Sequence, residues 1–260
     1  MTKIREVYVV SAVRTPVGKR NGYLRQWVSP ELLGHVLSSA VNRINLDPGL
    51  VEDVINGTVY QVGEQGFVLG RMGVFASNLP DIVPGTSINR QCGSSLTAIQ
   101  MAYGMIASNI QDVVIASGIE IMSKYPIGSD VGGTLPDGRP QGQPYHDYYM
   151  KRLHGGELYN QGQAAQAIAR KWGISRRECE EFAVASHTKA HHATESGYFK
   201  AEILPTAGLD KDGNKIIMEH DETIRPDTSL EKLAALTPAL GTEMITAGIS
   251  SPVTDGASAV

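Results

Sequence analysis

Cysteine is scarce in this chain: its 260 residues include two, Cys92 and Cys179. Two thiols build no disulfide framework, and these two have no metal-ligand spacing. A reducing compartment is the simpler reading, so a cytoplasmic location and no metal are expected. No long basic run occurs, and 23 Lys and Arg against 27 Asp and Glu leave a net charge of −4. That balance argues against a nucleic-acid partner. Arg176-Arg177 is followed by Glu178, Glu180 and Glu181 and reads as a solvated helix start. No apolar run approaches membrane-spanning length, and Met1 to Val13 has no signal-peptide layout, so no membrane partner is expected. Repeats and low-complexity tracts are missing as well. The remainder, 42% hydrophobic and 19% charged, fits one large globular domain or two smaller ones.

The first third alternates strand and helix signals. Val7-Tyr8-Val9-Val10 reads as a buried strand. Ser29-Pro30-Glu31 starts a helix with Ser as N-cap, and Leu32, Leu33, Val36, Leu37 and Ala40 share one face. Strands are expected at Val54–Val59 and Val113–Ala116, and a helix near Leu69 to Ser77. This order implies an α/β fold with a mostly parallel sheet covered by helices. Residues 126 to 147 are rich in Gly and Pro and read as a long loop. Helices follow at Gly162–Trp172 and Ser175–Ser196, the second opened by the capping box Ser175-Arg176-Arg177-Glu178 and stopped by Gly197. Asp210 to Lys215 reads as a hairpin turn. Its spaced Asp and Asn residues do not make a calcium loop, because glycine is not at the sixth position. His187 and His191 have the i,i+4 spacing of a zinc pair, but no third ligand of clear context accompanies them. The last residues, Asp255 to Val260, begin a small apolar strand at which the sequence stops, so a completing segment or partner is expected.

Cys92 is the candidate nucleophile. It lies in Asn89-Arg90-Gln91-Cys92-Gly93-Ser94-Ser95-Leu96, where an irregular segment is expected to give way to a helix. Leu96, Ile99, Tyr103 and Ile106 recur at helical steps and read as its buried face. A thiol at a helix N-terminus faces unpaired N–H groups and the positive end of the helix dipole, which favour the nucleophilic thiolate. The competing reading is a small buried apolar residue.

Four motifs, in order over essentially the whole chain, resemble those of the thiolases. They are Arg14-Thr15-Pro16-Val17-Gly18 with Gly22, the Cys92 segment, Gly118-Ile119-Glu120-Ile121-Met122-Ser123, and Ile245-Thr246-Ala247-Gly248 leading into Asp255-Gly256-Ala257-Ser258-Ala259-Val260. The resemblance implies α-β-α-β-α layering from two similar halves, with a loop domain inserted in the first. Here residues 1–122 and 244–260 would form most of the first half, and 123–243 the inserted CoA-binding loop domain. The second half-domain would be absent. It implies an acyltransferase that forms an S-acyl enzyme at Cys92 and cleaves or makes 3-ketoacyl-CoA with acetyl-CoA. The backbone N–H of Cys92 would be one oxyanion donor. CoA would be a co-substrate, with no cofactor.

The resemblance also implies substrate contacts. Arg225 would lie near the adenine or phosphate end and Ser251 along the pantetheine arm. Leu240, Asn160 and Gln161 stand where many short-chain members have other residues, which points to a broader or bulkier 3-ketoacyl substrate. The family's Gly-His-Pro base motif does not occur, and Cys179 is outside the Cys-x-Gly context of its second cysteine. An isolated chain with little turnover is therefore expected. The alternatives are a non-catalytic CoA- or lipid-binding module, a subunit completed by another chain or C-terminal segment, and a related ketoacyl synthase. The Arg-Thr-Pro motif argues against the last. A homo-oligomer, dimer or tetramer, is implied by the family.

Overall fold

The structure, a computed structural model, describes residues 4–131, 134, 136–138, 152 and 159–260. Most of the Gly- and Pro-rich stretch 126–147 lies outside the described residues. The chain divides into two compact units: residues 1–130, 199–222 and 253–260 form unit 1, and residues 131–198 and 223–252 form unit 2.

Unit 1 is built on a mixed six-stranded sheet. Its strands are β1 (Val13–Arg14), β2 (Gly18–Lys19), β3 (Asp53–Gly57), β4 (Gly85–Ile88), β5 (Val114–Ile121) and β8 (Thr254–Ala259). Strands β4, β3 and β5 run parallel, linked through α2 (Leu69–Phe75) and α3 (Ser94–Ala107), as parallel pairing requires a crossover. The terminal segment forms β8, which lies antiparallel between β5 and β1, with Ala259 opposite both Ser117 and Val13. A second sheet is the hairpin β6 (Thr206–Leu209) and β7 (Lys215–Met218). Its turn forms as expected: Asp210 accepts from the N–H groups of Asp212 and Asn214, both at 2.8 Å.

Strand alternation sends neighbouring residues to opposite faces. Val54, Ile115 and Ile119 join Leu32, Leu33, Val36 and Leu37 of α1 (Ser29–Asn42) and Leu69 and Val74 of α2 in the main core. Ile55 and Ala116 face α3 instead, in a small cluster with Ala98 and Ala102.

Four local expectations are corrected. Residues 7–10 form no strand, and Tyr8, Val9 and Val10 are exposed; among the described residues no strand pairs with this β-branched run, and pairing begins at Val13. Ser29 is helical rather than the cap; Val28 holds that place without a side-chain bond, and the Ser29 N–H donates to Glu64 at 3.1 Å. Helix α3 starts at Ser94, with Gly93 as its cap, so Cys92 precedes the helix. The fourth concerns the buried face of α3. Leu96, Ile99 and Tyr103 are 60%, 40% and 53% exposed, and the buried residues are Ser94, Thr97, Ala98 and Ala102. The reason is close approach. A Cβ on Gly57 would lie 2.3 Å from the Ser95 nitrogen, and one on Gly118 would lie 2.6 Å from the Ser95 Cβ. The backbone of α3 sits so near the sheet that small residues fill the contact and the large ones point away.

Contacts also divide the chain differently from the sequence boundaries at 123 and 243. Residues 199–222 belong to unit 1, and 244–252 to unit 2. Polar contacts with the N-terminal motif explain the first change. Arg14 pairs with Glu202 at 2.7 Å and with Asp221 at 2.7 Å. Asp221 also accepts the Val17 N–H at 2.7 Å, Glu222 accepts from the Tyr23 N–H at 3.0 Å, and the Trp27 indole donates to the Ala207 carbonyl at 2.6 Å.

Unit 2 contains α4 (Gln161–Trp172), α5 (Arg176–Glu195) and the short α6 (Leu230–Ala234). The capping box expected at Ser175 is complete, with the Ser175 side chain and the Glu178 carboxylate bonding each other's backbone N–H. Among the described residues, no helix is long and apolar enough to cross a membrane.

Candidate active site

Cys92 is exposed on a tight loop between β4 and α3. The loop is braced on both sides of the thiol. The Asn89 amide donates to the Val59 carbonyl at 2.8 Å, and its oxygen accepts the Gln91 N–H at 2.8 Å. That second bond is an Asx turn. Ser94 Oγ accepts the Arg90 N–H at 3.0 Å and donates to the Gln91 carbonyl at 2.6 Å. Gln91 is held at φ 49°, a conformation uncommon for a residue with a side chain. Nearby, burial pushes the Tyr60 hydroxyl above its usual range, and the charges of Asp130 and Glu120 add to the rise.

The substrate contacts implied by resemblance fall into two groups within unit 2. Asn160 caps α4: its oxygen accepts the Gln163 N–H at 2.9 Å, and the Gln163 side chain accepts the Asn160 N–H at 3.0 Å. The Asn160 amide donates to the Leu240 carbonyl at 3.1 Å, which brings these two residues together. Gln161 is exposed at the first position of the helix. Leu240 is exposed and sits at φ 57°, a strained conformation for a branched side chain.

The second group borders a cavity of about 670 Å³ between α5 and residues 248–252. Ile174, Phe182, Ile249 and Pro252 supply apolar walls; Ser186, His187, Ser250 and Ser251 supply polar groups. A size of this order with few polar groups suits a small-molecule site. Arg225 is exposed beside this group, with its N–H donating to His187 Nδ1 at 3.2 Å. The sequence pattern missed His187 and Phe182 as cavity residues. Their signal was the three- and four-residue spacing of Cys179, Phe182, Ala183, Ser186 and His187, which puts them on one face of α5. His187 turns its Nδ1 to a backbone N–H. Among the described residues, no three His, Cys, Asp or Glu side chains converge on a metal position.

The family profile described as "Thiolase, N-terminal domain" matches residues 7–260. The chain is 36% identical to a 3-ketoacyl-CoA thiolase of Aliivibrio fischeri and 38% identical to one of Pectobacterium carotovorum, over 99% of its length in each case. Its fold is similar to the crystal structure of the Bacillus anthracis acetyl-CoA acetyltransferase, with a TM-score of 0.84, 32% identity, all of this chain covered and 66% of the other. The chain belongs to the thiolase family. It spans about 64% of the length of the curated relatives it matches.

Proposed function

We propose that this chain is the nucleophile-bearing portion of an acyl-CoA acyltransferase of the thiolase type. The observation that carries the reading is the exposed Cys92 on a hydrogen-bonded loop immediately before a helix. The Cys92 thiolate attacks the thioester carbonyl, and the carbonyl π electrons move to oxygen. The backbone N–H of Cys92 serves as one donor to that oxyanion; losing such a donor typically costs about 10²–10³ in rate. Collapse expels the CoA thiolate and leaves an S-acyl enzyme, dividing one hard step into two. Carbon–carbon bond formation or cleavage with acetyl-CoA then needs a base, and these 260 residues contain no Gly-His-Pro motif.

Unit 2 is the CoA-binding unit in this reading. Ser251 meets the pantetheine arm and Arg225 the adenine or phosphate end, where a guanidinium suits both. Leu240, Asn160 and Gln161 shape the acyl preference toward 3-ketoacyl chains bulkier than acetoacetyl. A homo-oligomer or a completing C-terminal segment is also proposed, supported by the open edge of β4 and the exposed apolar residues of α3.

The test is intact-mass measurement after incubation with acetyl-CoA. One acetyl group on Cys92, absent in Cys92→Ala, is expected, with alkylation of Cys92 by iodoacetamide faster than that of Cys179. Equal, slow labelling of both thiols and no acetyl adduct would sink the reading. A second reading, a CoA-binding module without chemistry, is favoured by a cavity lying wholly within unit 2. It expects CoA binding to survive in Cys92→Ala with no adduct on the parent.

A further inference from the structure

Glu120 lies on β5, three residues before the end of the motif that closes the parallel strands, and the chemistry above gives it no task. Its carboxylate is aimed at the segment after β3. It accepts the Val59 N–H at 2.8 Å, the Tyr60 N–H at 3.4 Å and the Gln65 side-chain amide at 2.5 Å. Gln65 in turn donates to the Tyr60 carbonyl at 2.9 Å and accepts the Ile121 N–H at 2.8 Å, which fixes it between the two segments. Val59, whose N–H Glu120 accepts, offers its carbonyl to the side-chain amide of Asn89. Asn89 then bonds the Gln91 N–H, next to Cys92.

We propose that Glu120 and Asn89 are positioning residues that set the pose of the Cys92 loop through the Val59 backbone. Each link in the chain is a hydrogen bond of ordinary length, and Gln91 at φ 49° needs a partner to hold it. Burial pushes the Glu120 carboxyl above its usual range, and Asp130 adds to the rise. A glutamine keeps one acceptor, an amide oxygen for the Val59 N–H, but turns its NH2 toward the donating Gln65 amide, so it restores the contact to Val59 only in part. The consequence for chemistry rests on the acyl-transfer reading, because a misplaced nucleophile loop loses rate steeply.

The experiment combines amide hydrogen exchange by NMR with acetyl transfer from acetyl-CoA, on the 260-residue chain and its variants. Glu120→Ala should speed exchange at the Gln91 amide about tenfold, although Glu120 does not touch it, and Glu120→Gln, which keeps the acceptor for Val59, should bring the rate back to within about fourfold of the parent. Coupling is reciprocal, so Asn89→Ala at an exposed position should speed exchange at the Val59 amide about fivefold. Acetylation of Cys92 should slow about tenfold in Glu120→Ala and Asn89→Ala and recover in part in Glu120→Gln. An unchanged Val59 amide in Asn89→Ala overturns the relay. So does a Gln91 amide that responds equally to alanine and glutamine at 120 while the melting temperature falls in both. Exchange coupling with no acetylation of the parent keeps the relay and rejects the acyl-transfer reading, so the two failures are told apart.

Discussion

The two faces of the six-stranded sheet are covered by opposite means. On one, α1 and α2 bring Leu32, Leu33, Val36, Leu37, Leu69 and Val74 against Val54, Ile115 and Ile119, and all of these are buried. On the other, α3 lies so close that Ala98 and Ala102 suffice against Ile55 and Ala116. Its Leu96, Ile99 and Tyr103 are left turned to solvent. Large side chains at a distance bury more apolar area than small ones in close approach. The first face therefore carries the stability of unit 1. The second carries the loop that presents Cys92 and an apolar surface of the sort that marks association.

The contrast can be broken by substitution. Leu33→Ala on the full face should destabilise unit 1 by about 3 kcal/mol, since Leu33 is completely buried. Urea unfolding followed by tryptophan fluorescence in a Trp172→Phe background, where Trp27 is the one indole, measures it, and a loss under about 1 kcal/mol would contradict the assignment of the main core. Gly57→Ala on the close face should cost about 2 kcal/mol, because the new methyl meets the backbone of α3 rather than a movable side chain. Ile99→Gln and Tyr103→Ser together should change stability by no more than about 0.5 kcal/mol each. The same pair should lower the binding of a hydrophobic dye to the native chain; undiminished dye binding would place the apolar surface elsewhere.

The smallest effect is a slope. Asp255 lies on the full face in line with Ala257 and Ala259, almost completely buried, and accepts from the Ser123 N–H at 2.8 Å and hydroxyl at 2.6 Å. Burial raises its carboxyl above the ordinary range, with Glu222 adding to the rise. A raised folded value means that its contribution is present in full below the ordinary aspartate value of about 3.9 and is lost as pH rises through the folded value. Asp255→Asn should therefore flatten the decline in stability on raising pH above about 4. A parent and variant with parallel pH profiles would show that Asp255 titrates normally.

Much of the fold was legible because local signals agreed with one another. The Ser175 capping box, the Asp210 turn and the apolar stripe of α1 each name their own structure through residues within a few positions. The stripe on α3 misled for a physical reason: helical spacing reports that residues share a face, not which face meets the sheet. The signal that decided it lay elsewhere, in Gly57 and Gly118 on strands β3 and β5. Val7 to Val10 misled similarly, since a β-branched run forms a strand only where a neighbour pairs with it. In the candidate site Cys92 was readable as a thiol near a helix start. The cavity beside Ser251 was not, because Phe182 and His187 stand more than sixty residues away in the chain.

Residue order alone was enough to establish the alternation of strands and helices, the loop that carries Cys92 and the likeness to the thiolases. These rest on turn chemistry, capping and short motifs, which act over a few bonds. Placement in space depended on contacts between distant segments. The antiparallel insertion of β8 beside β5, the return of residues 199–222 to the N-terminal motif and the outward turn of α3 are such cases. Close packing selects among arrangements that local patterns leave equal, because it weighs the volume and polarity of every neighbour at once.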